Sequence, residues 1–190
     1  MASIKGIKLT GVQSHIGAEG YTLFANVSMD GKRVGTVCDD AWGGPWSIDI
    51  PKEIQAEILE RFKTYIKEEH IVDECKTMCM EESDVVNGLA KGNLPLLDTE
   101  DRYVDPLELF FSELHDLGQM EKYYKTAVKK GYKAVVRSKF VSTKNGTYPD
   151  VIYYTNGSPK AYAECVKEFK KKSYAVIVKT YASLADFTIS

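Results

Sequence analysis

Apolar and polar residues alternate from residue 21 to residue 29. The odd-numbered positions are apolar and most even-numbered positions are polar, which is the two-residue period of a strand with one buried face. Asp30-Gly31 follows directly, a preferred dipeptide for a two-residue hairpin turn because both positions need a positive φ. The pattern therefore predicts a β-hairpin, with an earlier strand between Ile4 and Val12 joining the same sheet.

The turn also predicts which residues pair across the hairpin. With a two-residue loop, the successive pairs are Met29–Lys32, Val27–Val34, Ala25–Thr36 and Leu23–Cys38. The expected buried face then contains Val27, Val34, Leu23 and Cys38. In this register Asp39 lies opposite Thr22, on the face that points away from the core.

Helical periodicity replaces alternation after Pro51. Apolar residues recur there at Ile54, Ile58, Phe62, Tyr65 and Ile66. Asp105-Pro106 predicts the start of a second helix, with Asp as the cap and Pro in the first turn. Its apolar positions are Leu107, Phe110, Phe111, Leu114 and Leu117. We expect Gly118 to end this helix and a third helix to end at Gly131.

The C-terminal part predicts two strands, a helix from about residue 159 to 171 and a last apolar strand. The whole order predicts a single α+β domain over residues 1–190 with a C-terminal ββαβ unit. Residues 70–104 are acidic and interrupted by Asn, Gly and Pro, so we expect an insertion that is more mobile than its surroundings.

Composition and charge restrict the class of protein. The chain has 44% hydrophobic residues and no apolar run near the roughly 18–20 residues of a membrane span, so we expect a cytoplasmic protein without a membrane partner. Residues 51–120 carry 7 basic and 17 acidic side chains, whereas residues 121–190 carry 14 and 5. Such separation can mark a binding face, or the two parts can simply be solvated.

Four cysteines are too few for a disulfide framework, so we interpret them as reduced thiols. Cys75 and Cys79 would share a helix face near His70, but a zinc site needs a fourth ligand that is not evident. Catalytic and cofactor motifs such as G-x-S-x-G, the P-loop and H-E-x-x-H do not occur. We therefore expect neither an enzyme nor a cofactor, and we expect His115 to be exposed on a polar helix face.

The segment VCDDAWGGPW, residues 37–46, is the first candidate site. Two carboxylates can hold a hard metal, a Gly-Gly loop lets backbone amides approach a ligand, and tryptophan offers a stacking face. The alternative is that the loop joins a strand to a helix while its tryptophans close the core. The candidate residues are Asp39, Asp40, Trp42, Gly43, Gly44 and Trp46.

The basic segment before residue 144 is the second candidate site. Lys133, Arg137 and Lys139 fall on one side of a predicted strand, where a cationic ridge could meet phosphates or an acidic partner. The alternative is a solvated strand face. Long duplex DNA is disfavoured as a partner because the acidic middle of the chain would repel its backbone.

Residues 30–49, DGKRVGTVCDDAWGGPWSID, resemble a pattern in small uncharacterised proteins of phages, plasmids and other mobile elements. The matching positions are Asp30, Gly31, Lys32, Val34, Gly35, Asp39, Asp40, Trp42, Gly43 and Gly44. A weaker similarity occurs in VIYYTNGSPKAYAECVKEF. The resemblance implies an accessory role on a mobile element and assigns no catalytic residue.

Two functional hypotheses follow. The first is a binding protein of a phage or mobile element that inhibits or sequesters a host component, for example of a defence system. Its ligand would be a host protein on a charged face or a phosphate-bearing nucleotide held by Lys/Arg and aromatic stacking. The rival is a metal-dependent phosphoesterase that uses Asp39 and Asp40.

Overall fold

The fold is α+β as predicted, and the computed structural model describes residues 1–16, 21–40, 44–68, 94–95, 103–140, 151–170 and 176–190. The N-terminal strands and the last strand of the chain form one sheet of six strands: β1 (Ser3–Ile4), β2 (Ile7–Ile16), β3 (Tyr21–Met29), β4 (Lys32–Asp39), β5 (Ser47–Asp49) and β11 (Thr188–Ile189). Their order across the sheet is β11-β1-β2-β3-β4-β5. β1 and β11 run parallel, and the other neighbours are antiparallel.

The C-terminal part contains β8 (Ala134–Phe140), β9 (Val151–Thr155), helix α3 (Pro159–Lys170) and β10 (Val176–Tyr181). Its strands form a second, antiparallel sheet with the order β10-β8-β9. The order of these elements along the chain confirms the predicted ββαβ unit. A 3₁₀ helix at Leu184–Phe187 then leads into β11, so the last strand of the chain completes the N-terminal sheet.

Two helices lie between β5 and β8 in the sequence, α1 (Lys52–Glu68) and α2 (Pro106–Lys129). The predicted apolar face of α1 is confirmed at Ile58, Phe62 and Tyr65, which are buried. Ile54 is half-buried, and the side chain of Ile66 lies outside the described residues. The predicted start of α2 is confirmed as well, because the Asp105 carboxylate accepts the backbone N–H of Leu107 at 2.7 Å. All five apolar residues predicted for α2 lie in the core: Leu107, Phe110, Phe111, Leu114 and Leu117.

The prediction that Gly118 ends this helix is wrong. Helix α2 continues through Gly118 for another eleven residues, to Lys129. A helical glycine costs about 1 kcal/mol relative to alanine, whereas burying a Leu or Met side chain contributes roughly 1.5–3 kcal/mol. Leu117 and Met120 flank Gly118 and are both buried, so packing outweighs the local propensity.

Gly131 does end the helix, as predicted. It has φ of +88°, and its N–H bonds to the Val128 carbonyl at 3.0 Å. The next N–H, of Tyr132, bonds to the Ala127 carbonyl at 3.1 Å. These two bonds form a Schellman motif, in which a left-handed residue satisfies carbonyls that the helix leaves open.

The predicted hairpin turn is confirmed, since Asp30 and Gly31 have φ of 50° and 83°. A second turn of this kind, with φ of 49° at Lys5 and 78° at Gly6, joins β1 to β2. Arg61 of α1 links the two turns: its guanidinium donates to the Lys5 carbonyl at 2.8 Å and to both Asp30 carboxylate oxygens at 3.0 and 2.6 Å. One side chain thereby fixes two hairpins against the helix.

The predicted hairpin register holds next to the turn and is wrong further along. Met29 pairs with Lys32 and Ser28 with Arg33, but a β-bulge follows, and Val27 then pairs with Gly35. One extra residue in a strand moves every later side chain to the opposite face. Consequently Val37 is fully buried opposite Ala25, where the prediction placed Thr36. The corrected pairs are Val27–Gly35, Asn26–Thr36, Ala25–Val37, Phe24–Cys38 and Leu23–Asp39.

The corrected register changes the position of Asp39. It pairs with Leu23 instead of Thr22, and directly paired residues project from the same face of a sheet. Asp39 therefore lies at the end of the core face. Cys38, which was predicted to be in the core, is only half-buried.

The acidic span of residues 70–104 falls mostly outside the described residues, together with His70, Cys75 and Cys79. Within it, β6 (Leu94–Pro95) pairs antiparallel with β7 (Tyr103–Val104), which ends the span. Its predicted mobility stays a prediction. In the described part of the chain, no helix combines the length and apolar character needed to cross a membrane.

The bulged register predicts that substitutions at two neighbouring positions lower the free energy of unfolding by different amounts. Val37→Ala removes two buried methyl groups and should lower the free energy of unfolding by about 1–3 kcal/mol. Cys38→Ala, on the other face, should cost less than about 1 kcal/mol. Urea unfolding of the two variants measures both values. A larger loss of stability for Cys38→Ala than for Val37→Ala would indicate the unbulged register instead.

Two glycines offer a matched test of close packing next to β5. A Cβ on Gly35 would collide with the backbone carbonyl oxygen of Asp49, whereas one on Gly44 would meet no atom within 4 Å. Gly35→Ala should therefore lose about 1–3 kcal/mol of stability, as overpacking does. Gly44→Ala should leave stability unchanged or raise it by up to about 1 kcal/mol. Thermal or urea unfolding checks both variants, and equal effects would contradict the close contact at Gly35.

Candidate functional site

A cavity of about 220 Å³ lies where helices α1 and α2 meet strand β10 of the second sheet. The C-terminal residues around the 3₁₀ helix close one side of it. Its charged lining residues are Glu113, Arg137, Lys179 and Asp186, and its apolar and aromatic ones include Tyr65, Leu117, Tyr181 and Ile189. This combination of both charges with flat apolar surface makes it our candidate binding site.

Two cations stand side by side in the wall of this cavity. Arg137 of β8 is the direct cross-strand partner of Lys179 of β10. Directly paired residues have Cβ atoms about 4.5–5.5 Å apart on one face, and like charges in that arrangement destabilise a sheet. Arg137 is only 9% exposed, and its Nη2 lies 2.8 Å from Oδ2 of Asp116 on α2. That ion pair offsets part of the repulsion between the cations.

The Asp186 carboxylate is held by the turn before the 3₁₀ helix. It accepts the backbone N–H groups of Ala182 at 2.6 Å and Ser183 at 2.8 Å, and the Ser183 hydroxyl at 3.0 Å. Burial acts to raise the pKa of Asp186, but these hydrogen bonds outweigh it and the pKa lies below its usual value. Asp186 is thus an ionised group in a fixed position at neutral pH.

The apolar lining of the cavity belongs to the core. The ring of Tyr65 lies 6.1 Å from that of Phe62, nearly parallel to it, and Tyr65 is almost completely buried. The ring of Tyr181 stacks on Phe187 with a centroid distance of 4.8 Å and an interplanar angle of 6°. Both aromatic side chains are therefore held in place before any ligand enters.

The predicted cationic ridge is not a continuous exposed surface. Lys133 is exposed just before β8, but Arg137 is buried against α2, and Lys139 lies in β8 opposite Ile177. The strand lies between two others and packs on a helix, so residues on both of its faces are buried, including Val135 and Val136. Alternation in the sequence indicates which residues share a face but not whether that face is covered.

The loop of residues 37–46 is described only in part, because Trp42 and Gly43 lie outside the described residues. Trp46 is half-buried and packs against the hydrophobic core. Its backbone N–H donates to Oε1 of Glu108 at 2.7 Å. Trp46 therefore agrees with the alternative in which the tryptophans of this loop close the core.

Asp39 of this loop lies near Glu108 in the first turn of α2. Burial raises the pKa of Glu108, the Trp46 N–H lowers it in part, and the nearby carboxylates Asp105 and Asp39 raise it further. Asp40 and Gly44 are exposed. Among the residues that the structure describes, no three or more His, Cys, Asp or Glu side chains are grouped so that they could hold a metal ion.

A second cavity, of about 280 Å³, lies between the N-terminal strands and α2 and is lined in part by His115, Gln119 and Glu121. His115 is half-buried instead of exposed as predicted, and Gln119 Nε2 lies 2.8 Å from its Nε2. Burial lowers the pKa of His115, Asp116 opposes this effect and Lys122 adds to it. The neutral imidazole is the form that this environment favours.

Sequence reasoning identified Arg137 but missed the other charged residues of the first cavity. Lys179 gave the one usable signal, since it is a single charge inside the apolar strand YAVIVKTY. Glu113 and Asp186 carry no local signal, because Glu113 lies on the polar side of a predicted amphipathic helix and Asp186 is a single carboxylate near the C-terminal end of the sequence.

Comparison of the chain with protein-family models, with curated proteins and with solved structures found no match.

The environment of His115 predicts a specific loss of stability in acid. Its pKa is lowered in the folded state, so the unfolded chain binds the proton more tightly, and stability falls as pH drops below about 6.5. His115→Gln removes this titration and should lose less stability between pH 7.5 and pH 5.5 than the wild type. Urea midpoints at the two pH values measure the difference, with His15→Gln, at an exposed position on β2, as the matched control. Identical pH dependence of wild type and His115→Gln would refute the prediction.

Proposed function

We propose that the protein is a non-catalytic binding protein that sequesters a small phosphate-bearing nucleotide in the cavity between α2 and β10. The observation that carries this proposal is the direct pairing of Arg137 with Lys179 in the cavity wall. A phosphate between them would contact two neighbouring cations at once. Arg is suited to this role because its planar guanidinium matches the geometry of phosphate oxygens.

The remaining lining supports a nucleotide over a bare phosphate. Carboxylates can accept the exocyclic N–H groups of a base, as Glu and Asp do with cytosine, and Glu113 and Asp186 line the same cavity. The apolar surface of Tyr65 and Leu117 can contact the flat face of a base. A volume of about 220 Å³ lies below the roughly 300–1,000 Å³ of most ligand sites, so the ligand is no larger than a mononucleotide.

The biological setting is part of the proposal and depends on the resemblance of residues 30–49 to small proteins of mobile elements. A nucleotide-sequestering protein encoded by a phage or plasmid would deprive a host system, such as a defence system, of its nucleotide signal. Within the host cell it would act in the cytoplasm, where such nucleotides occur.

Calorimetric titration with AMP, GMP, CMP, UMP and inorganic phosphate tests the proposal. We expect at least one nucleotide to bind more tightly than phosphate. Lys179→Gln should weaken that binding by about tenfold or more, since a hydrogen bond to a charged group contributes roughly 1.5–3 kcal/mol. Lys167→Gln, which removes one exposed charge from α3, is the matched control and should bind as the wild type does.

Four results would count against the proposal. If none of the five compounds binds, or if phosphate binds as tightly as the nucleotides, the cavity is not a nucleotide site. If Lys179→Gln binds the nucleotide as tightly as the wild type does, the nucleotide does not bind beside Lys179 in this cavity. Release of phosphate from the nucleotide in the presence of Mg²⁺ or Mn²⁺, abolished by Asp39→Asn, would replace sequestration with metal-dependent phosphoester hydrolysis.

A further inference from the structure

Two tyrosine rings lie against each other on the surface where α2 ends and β9 runs beside β8. The rings of Tyr132 and Tyr154 have a centroid distance of 5.5 Å and an interplanar angle of 31°, and each residue is 41% exposed. Single exposed aromatic residues are ordinary, but two rings in contact form a larger apolar surface open to solvent.

Backbone hydrogen bonds fix the main chain at both tyrosines. Tyr132 follows the left-handed Gly131, and its backbone N–H donates to the Ala127 carbonyl at 3.1 Å. Tyr154 lies in β9, where it pairs with the fully buried Val135. No backbone segment therefore has to be ordered when a ligand covers the two rings.

Exposed lysines precede and follow Tyr132 in the sequence. Lys129, Lys130 and Lys133 are all exposed, and none of them forms an ion pair with another described residue. The sequence from residue 122 to residue 149 contains eight basic residues and no Asp or Glu. We call Lys129, Lys130, Tyr132, Lys133 and Tyr154 the tyrosine–lysine surface.

We propose that the tyrosine–lysine surface binds a short single-stranded nucleic acid. Each base of a single strand has an open face that can stack on a tyrosine ring, and its phosphates match the lysine charges. In a duplex those faces are already covered by neighbouring base pairs. An acidic protein segment would satisfy the lysines but would offer no flat group to cover the two rings.

This surface is separate from the nucleotide cavity. It shares no residue with the lining of that cavity, in which Arg137 and Lys179 are the cations. The two proposals can therefore fail independently.

Fluorescence anisotropy with labelled single-stranded dT15 and rU15 tests the proposal across a range of salt concentrations. We expect saturable binding that weakens as salt rises, and Lys129→Glu/Lys130→Glu should weaken binding and reduce its salt dependence. Lys52→Glu, which introduces the same type of charge change at an exposed position of α1, is the control and should keep its affinity.

Stacking is tested at the tyrosines. Tyr132→Ala and Tyr154→Ala should each weaken binding by roughly 5- to 150-fold, the range for loss of one base–aromatic stack. Tyr132→Phe keeps the ring and should retain the affinity. Phe24→Ala removes an aromatic residue of similar exposure from β3 and should bind as the wild type does.

Several outcomes would overturn the proposal. These are no anisotropy change at low salt, equal binding of a labelled 15-base-pair duplex, and full affinity in both tyrosine-to-alanine variants. Displacement of the oligonucleotide by poly-glutamate at equal charge concentration would favour an acidic protein partner instead. Each variant is first compared with the wild type by thermal unfolding, and Tyr132→Phe remains informative if an alanine variant does not fold.

Discussion

The structure depends on the burial of one long face of helix α2. This helix is 24 residues long, and it contacts α1, the N-terminal strands, β8 and the 3₁₀ helix. Near its start, Phe110 packs edge-on against Phe62 of α1 with a centroid distance of 5.2 Å. Val135 of β8 and Tyr181 of β10 belong to the same hydrophobic cluster as the residues of the first sheet. The two sheets therefore share a core, and α2 must remain unbroken at Gly118 for that core to be continuous.

The same helix positions the candidate site. Glu113 and Leu117 of α2 line the first cavity, and Asp116 neutralises Arg137 from the same turn of helix. The other wall comes from β10 and from residues near the C-terminus, which return to pair with β1. A change in the length of α2 would alter where these carboxylates stand relative to the Arg137–Lys179 pair. The charge balance in the cavity is consequently a property of helix packing.

Much of the fold could be predicted because its signals are local. The alternation of residues 21–29, the dipeptide Asp30-Gly31 and the cap at Asp105 each specify a backbone conformation through nearby atoms alone. The β-bulge between the Ser28–Arg33 and Val27–Gly35 pairs was not predictable in this way, because Gly35 is required by the approach of Asp49 from another strand. The same holds for Gly118, whose helical conformation is favoured by the burial of Leu117 and Met120.

The sequence by itself determined the α+β class, the helix faces, the Asp30-Gly31 turn and the excess of basic residues after residue 120. Only the tertiary structure decided that Arg137 is buried beside Lys179, that Trp46 packs on the core and that Tyr132 meets Tyr154. Local patterns record which residues share a face of one element, through periods of 2 and 3.6 residues. Whether that face meets solvent, a helix or another strand depends on residues far away in the chain, and a local period contains no information about them.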